Sequence, residues 1–196
     1  MSNREDPEGS IKGIGACNTM IRKGSSWYGV NTDVEGFLAP LKSRGWAGSE
    51  SANPKRQATV LGAGGAARAV VYALIREGID PLILNRSLER ARALARSFGC
   101  AYSGLNRQGQ ALMENYSDLI VQATSVGMEP EVEGDPLPGY HFRGTEIVYD
   151  LVYKPPLTRF LKRAGDSGCT VIQGLEMLRA QAGAQFKLFT GRDYPV

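Results

Sequence analysis

The spacing of hydrophobic positions changes character once along the chain. In the first part, two short β-prone runs at 15–22 and 27–31 flank a polar turn at 23–26, the pattern of a hairpin. From Asp33 the apolar residues Val34, Phe37, Leu38 and Leu41 recur three or four apart, which predicts an amphipathic helix stopped by Gly45 and Gly48. The polar stretch GSESANPKR at 48–56 reads as a loop and a domain boundary. Residues 1–10 are polar and are expected to be poorly ordered.

From Gln57 onward short β-branched runs alternate with helical patterns. The runs lie at 58–61, 81–85, 101–103, 119–123, 147–149 and 169–172, and the helical patterns at 66–77, 88–97, 108–115, 157–163 and 175–189. In the first helix Ala67, Val70, Val71, Leu74 and Ile75 share a face, and Gly78 supplies the stop. Ser87 caps the next helix, which ends at Gly99. On the last helix Leu175, Leu178, Ala182, Phe186 and Phe189 make an apolar stripe suited to a core, while Met177 and Gln181 share another face. Strands that alternate with helices form a parallel sheet covered on both sides. The fold class is therefore α/β, a Rossmann-like doubly wound parallel sheet of about six strands preceded by a smaller α/β remnant. The expected division is 1–50, 57–174 and a C-terminal helix at 175–196 that folds back toward the first part.

Composition narrows the function classes. The chain has 196 residues, 42% of them hydrophobic, enough to bury a real core and to exclude wholesale disorder. No apolar run approaches the roughly 18–20 residues of a membrane helix, and no basic-then-apolar leader follows Met1. A net charge of +3 from 23 basic and 20 acidic residues is too small and too dispersed to point to nucleic acid. Cys17, Cys100 and Cys169 show no metal spacing and read as small buried hydrophobes in a reducing, cytoplasmic compartment. A single histidine, His141, argues against a histidine metal site or a Ser-His-Asp triad and reads as a loop residue; no metal is expected. The 24 glycines are the informative excess, because they cluster where strands give way to helices.

The strongest local motif is ATVLGAGGAARAVVYAL at 58–74, in which Gly62, Gly64 and Ala67 match G-x-G-x-x-G/A between a strand and a helix. Gly62 permits a tight turn, Gly64 lets backbone approach a pyrophosphate, and the small Ala67 lets helix and strand pack closely. The loop residues Gly62, Ala63, Gly64, Gly65 and Ala66 then bring backbone N–H groups and the positive end of a helix dipole to the phosphates. About 20 residues on, where an acidic residue would take a free ribose 2′-hydroxyl, the chain has Asn85, Arg86, Ser87 and Arg90. Guanidinium groups there suit a 2′-phosphate, so NADP is expected over NAD, the alternative being two arginines on a solvated helix face.

With these pieces the chain resembles the shikimate dehydrogenase family from about Ile14 to the C-terminus. The segments that carry the likeness are IGACNT (14–19), GVNTD (29–33), VLGAGGAARA (60–69), LNRS (84–87), QATSVGM (122–128), VYDLVYKPPLT (148–158) and GLEMLRAQA (174–182). The resemblance implies NADPH-dependent interconversion of 3-dehydroshikimate and shikimate, on the route to chorismate and aromatic amino acids. It implies that Asn18 and Asp33 face the substrate hydroxyls, with Asp33 paired to a catalytic lysine, and that Tyr153 and Gln181 bind substrate. It places Thr124, Ser125, Gly127 and Met128 against the cofactor, and Leu151 and Gly174 near the nicotinamide. Local readings stand beside these: Asp33 as the N-cap of the helix at Val34, Asn18 as a turn residue, and Gln181 in a buried structural hydrogen bond.

One departure matters for function. The family's substrate-carboxylate serine pair and its N-x-T-x-P-x-K segment, whose lysine is the acid–base group, do not occur; Lys12 and Lys23 lie outside any matching pattern. The expectation is a chain that binds NADP but turns over poorly by itself, completed by a partner chain or a dimer. Shikimate and quinate are both open as substrates, and a non-catalytic NADP- or metabolite-binding module resembling the quinate-pathway repressors is the competing class.

Overall fold

A computed structural model describes residues 11–46 and 56–195. The expected poorly ordered residues 1–10 and most of the expected boundary loop at 48–56 lie outside the described residues. The chain opens on a short helix α1 (Ile11–Ile14), followed by the hairpin β1 (Thr19–Lys23) and β2 (Ser26–Val30) and by helix α2 (Asp33–Ser43). The first β-prone run begins at Thr19 and not at residue 15, because Asn18 and its neighbours are drawn into side-chain bonds with the start of α2.

The second part contains β3 (Gln57–Leu61), α3 (Gly65–Arg76), β4 (Asp80–Asn85), α4 (Leu88–Phe98), β5 (Ala101–Gly104), α5 (Arg107–Met113), β6 (Leu119–Gln122), β7 (Ile147–Asp150), α6 (Arg159–Asp166), β8 (Thr170–Ile172) and α7 (Gly174–Thr190). All six expected strands pair in parallel in the order β5-β4-β3-β6-β7-β8. The chain winds outward through β4 and β5, returns to the other side of β3, and winds outward again through β7 and β8. The reversal between β3 and β6 is a topological switch point, where open α/β sheets leave a crevice at their C-terminal ends.

Period-two alternation in the strands divides the core into two layers. Ala58, Val60, Ile83, Leu119, Val121 and Tyr149 pack with α2, α3 and α4 on one face. Leu61, Leu82, Leu84, Ile120 and Val148 pack with Met113, Phe160, Leu161 and Ala164 from α5 and α6 on the other. The first part of the chain is not appended to this core but shares it. Phe37 of α2 stacks on Tyr149 of β7 with ring centroids 5.2 Å apart, and Val34, Leu38 and Leu41 belong to the same buried cluster.

Caps explain where helices begin. Asn106 accepts from the Gly109 N–H at 3.0 Å and starts α5 at Arg107, one residue early. Thr158 accepts from the Leu161 N–H and starts α6 at Arg159, two residues late. Ser87 accepts from the Arg90 N–H, as its position implies.

Three expectations are corrected here. The apolar stripe of α7 is not core: Leu178 is 37% and Phe189 64% exposed, whereas Met177 is 7% exposed. The helix crosses α2 on its Met177–Gln181 side, because Gly36 lets the two backbones approach there; a Cβ at Gly36 would meet the Met177 carbonyl oxygen at 3.1 Å. Ile75, placed on the buried face of α3, is 38% exposed. Cys17 is exposed and Cys100 half-buried, so of the three cysteines Cys169 alone is a buried hydrophobe, though all three are free. His141 is exposed in a loop. No helix among the described residues is long and apolar enough to cross a membrane, and none of their side chains form a metal-ligating cluster.

Candidate functional site

The glycine loop lies at the switch point. The Gly62 N–H donates to the Leu84 carbonyl at 2.8 Å, and the Ala123 N–H to the Leu61 carbonyl at 2.8 Å, so β3 is clamped between its neighbours just where the loop departs. Gly62 has φ +118°, and a Cβ there would lie 2.9 Å from the Ala123 carbonyl oxygen; both the turn and the close approach require glycine. At Gly64 and Gly65 a Cβ would meet open space. Gly64 is the N-cap of α3 and brings no capping side chain, which leaves the first-turn N–H groups for an outside acceptor.

A cleft of about 480 Å³ opens above this loop. Its walls are Gly62, Ala63 and Gly64 on one side, Asn85, Arg86 and Arg90 at the end of β4, and Thr124 and Ser125 after β6. Gly65, Ala66, Ser87, Gly127, Met128, Leu151 and Gly174 are not among its lining residues, although the sequence groups them with it. Ala123 and Val126, from the 122–128 segment, also line it, as do Leu105, Asp135 and Pro136, which carry no sequence signal. Gln122, buried at the end of β6, shapes the 123–128 loop: its Oε1 accepts from the Thr124 N–H and hydroxyl, and its Nε2 donates to the Val126 carbonyl at 3.0 Å. A polar residue closing the apolar run LIVQ is the signal that could have found it.

The polar residues of the first part converge on the start of α2. Asp33 is the first helical residue, not the N-cap, and the N-cap Thr32 makes no side-chain cap bond. The Asp33 carboxylate accepts from Asn18 Nδ2 at 2.8 Å, so both local readings, cap and turn residue, give way to a cross-link between the hairpin and α2. Asn18 Oδ1 in turn accepts from the Thr32 N–H at 3.0 Å. Asn31, buried, accepts from the Asp33 N–H and donates to the Ala16 carbonyl. Partial burial raises the Asp33 pKa above the ordinary carboxylate value, against the opposing pull of the Asn18 amide.

Gln181 lies against Gly36, one helical turn along α2 from Asp33, where a Cβ on Gly36 would sit 2.9 Å from the Gln181 Cβ. The orientation of α7 is held at its start by Glu176, which pairs with Arg44 beyond the end of α2 at 2.9 Å. Gly174 brings α7 against β7's exit: a Cβ there would lie 2.5 Å from the Leu151 and Val152 carbonyl oxygens. Tyr153, exposed, stands in the 151–157 segment, which leaves the buried Asp150. Asp150 accepts from the Thr158 hydroxyl at 2.7 Å and the Val152 N–H at 2.9 Å. Burial pushes its pKa up to about 7, with those two donors pulling the other way. The Glu129 N–H donates to the Lys154 carbonyl at 3.0 Å and joins this segment to the 123–134 loop.

A larger groove of about 790 Å³ runs between the hairpin, α2 and α7. Its lining is half aliphatic and half polar or charged and excludes the glycine loop, so its size does not make it the dinucleotide site.

A sequence profile described as shikimate / quinate 5-dehydrogenase matches residues 49–130. The chain is 45% identical over 190 residues to the shikimate dehydrogenase (NADP(+)) of Moorella thermoacetica, across 93% of this chain and 63% of that protein. It therefore spans less than two thirds of the length of that relative. Among solved structures, shikimate 5-dehydrogenase from Thermus thermophilus in complex with NADP(H) and shikimate is 40% identical, with a TM-score of 0.80 over 94% of this chain and 66% of that one. Quinate dehydrogenase from Corynebacterium glutamicum in complex with NAD is 30% identical, with a TM-score of 0.78 over 93% and 65%. Sequence identity and a shared sheet that extend across nearly the whole chain place it with these enzymes: the chain belongs to the shikimate/quinate dehydrogenase family.

Proposed function

We propose that this chain forms the NADP(H)-binding wall and one side of the substrate cleft of a shikimate dehydrogenase, acting on the shikimate/3-dehydroshikimate pair in the cytoplasm. The observation that carries the reading is the switch-point cleft, with the glycine loop on one wall and Asn85, Arg86 and Arg90 on another. The fit to a dinucleotide is specific: open space at Gly64 and Gly65, an uncapped helix start, and guanidinium groups where an acidic residue would repel a 2′-phosphate. When bound, the cofactor supplies hydride transfer to and from the carbon that bears the reacting oxygen. Thr124 and Ser125 border the same cleft, and Gly127, Met128, Leu151 and Gly174 complete the nicotinamide end in this reading.

The chain's own residues orient the substrate. Asn18 and Asp33 present an amide and a carboxylate to its hydroxyls, and Gln181 and Tyr153 close the cleft from α7 and from the exit of β7. The lysine that would move the proton is missing from these 196 residues, and loss of a positioned acid costs about 10²–10⁴ in rate. Full activity then requires that group from outside these 196 residues. The missing lysine also favours a second reading, a non-catalytic NADP-binding module. The likeness to the quinate enzyme makes quinate and NAD the controls.

The test is a titration of the purified chain with NADPH and NADH, followed by shikimate or quinate with the oxidised cofactors while the reduced-nicotinamide absorbance is followed. NADPH should bind more tightly than NADH, and turnover should be absent or weak. No NADPH binding removes the cofactor reading. Robust turnover removes the claim that the proton-transfer group comes from elsewhere, and NADPH binding with neither shikimate binding nor turnover favours the non-catalytic NADP-binding module.

A further inference from the structure

We infer that Gln185 and Thr19 are positioning residues: Gln185, acting through the Thr19 hydroxyl, adds a second donor on Asn18 Oδ1 beside the Thr32 N–H and so holds the side-chain amide with its Nδ2 toward Asp33. The inference rests on the proposed reading of Asn18 and Asp33 as substrate-facing.

An asparagine amide is nearly symmetric in shape, so its orientation is set by the donors and acceptors around it. Around Asn18 these form a directed chain. Gln185 Nε2, on the half-buried face of α7, donates to Thr19 Oγ1 at 3.0 Å. A hydroxyl has one proton and two lone pairs: one lone pair accepts from Gln185, and the Thr19 proton goes to Asn18 Oδ1 at 2.9 Å. The Thr32 N–H also donates to Asn18 Oδ1, at 3.0 Å. With its oxygen engaged from two sides, the amide can only aim Nδ2 at the Asp33 carboxylate, 2.8 Å away, and at Thr32 Oγ1, 3.1 Å away. A reversed amide would set Nδ2 against the Thr32 N–H and bring Oδ1 against the carboxylate, a clash at both ends.

The relay joins residues 166 apart in sequence and ties the inner face of β1, where Thr19 is buried, to α7. Gln185 lies one turn beyond Gln181 on α7. One helix thus carries a residue proposed to meet substrate and a residue that orients the amide opposite. Thr19 and Gln185 touch neither the glycine loop nor the cleft above it.

The decisive variant is Gln185→Glu, which keeps the shape but replaces the donor by an acceptor. Glutamate takes the Thr19 proton, and the hydroxyl then meets Asn18 Oδ1 lone pair to lone pair. The readout is solvent exchange of the assigned Asn18 side-chain NH₂ protons by NMR in the full chain, together with binding of shikimate in the presence of NADP(+). Gln185→Glu, Gln185→Leu and Thr19→Val should each speed that exchange and weaken shikimate binding by about three- to tenfold, the worth of one neutral hydrogen bond. Thr19→Ser should behave as the unaltered chain, and NADP(+) binding alone should not move in any of them. Gln185 is half-buried, so the two Gln185 variants remain usable if Thr19→Val does not fold. Unchanged Asn18 exchange in Gln185→Glu overturns the inference, as does an equal loss of NADP(+) binding, which would mean general loosening of α7. If the unaltered chain fails to bind shikimate, the proposed function falls; the exchange series still decides whether Gln185 orients Asn18.

Discussion

Asp150 offers the clearest pH-dependent test of the fold, because its burial has a calculable consequence. Its carboxyl is fully buried at the end of β7, and its pKa is carried from 3.8 to about 7. Below the unfolded value, both folded and unfolded states hold the proton and the carboxyl costs nothing extra. As pH rises from there, the unfolded chain ionises first, and stability falls by about 1.4 kcal/mol per pH step until the folded carboxyl also ionises near 7. Between pH 4.5 and 7.5 that amounts to a loss of about 3 kcal/mol. Asp150→Asn removes the titration while keeping the shape: Oδ1 still accepts from the Val152 N–H, and Nδ2 can donate to Thr158 Oγ1. Other shifted carboxyls, such as Asp33 and Glu146, are common to both chains and cancel in the difference. Urea unfolding at pH 4.5, 5.5, 6.5 and 7.5 measures it. With an m-value of about 2–3 kcal/mol per M, the variant's midpoint should rise relative to the parent by roughly 1–1.5 M across that range and level off above pH 7. A difference between the two chains that stays constant with pH would show that Asp150 is ionised throughout, and the burial argument would fail.

Further outcomes follow from the same geometry. Arg86→Ala and Arg90→Ala should each weaken NADPH binding by about tenfold while leaving NADH binding within about twofold, since a charge-assisted bond to phosphate is worth about 1.5–3 kcal/mol; equal losses for both cofactors, read by fluorescence titration, would mean that the arginines do not meet the 2′-phosphate. Gly36→Ala gains about 1 kcal/mol of helix propensity but forces α2 from α7, where the new Cβ would be 2.9 Å from the Gln181 Cβ. It should therefore destabilise by about 1–2 kcal/mol, and a rise in the urea midpoint would refute the close crossing.

How much of this could be read beforehand depended on the range over which each signal acts. The strands of the sheet, the G-x-G loop and the Ser87 cap are written in contiguous residues, and each was legible as such. The stripe Leu175–Leu178–Ala182–Phe186–Phe189 has good helical spacing, yet the helix buries its other side. Amphipathicity could not decide between the faces, because a single glycine on α2, Gly36, determines which side of α7 can come close. Asp33 looked like a cap because caps are local; its real partner is Asn18, across the hairpin.

By itself the sequence therefore determined the parallel α/β sheet, the strand that leads into a phosphate-suited turn, and the basic residues at the end of β4, since backbone conformation and side-chain period are set by neighbours in the chain. Only the tertiary structure decided that α2 shares the core of the sheet, that Asp150 is buried deeply enough to hold its proton near neutrality, and that Gln185 reaches Thr19. Burial and hydrogen-bond direction depend on which elements cross, and those crossings join residues more than a hundred positions apart.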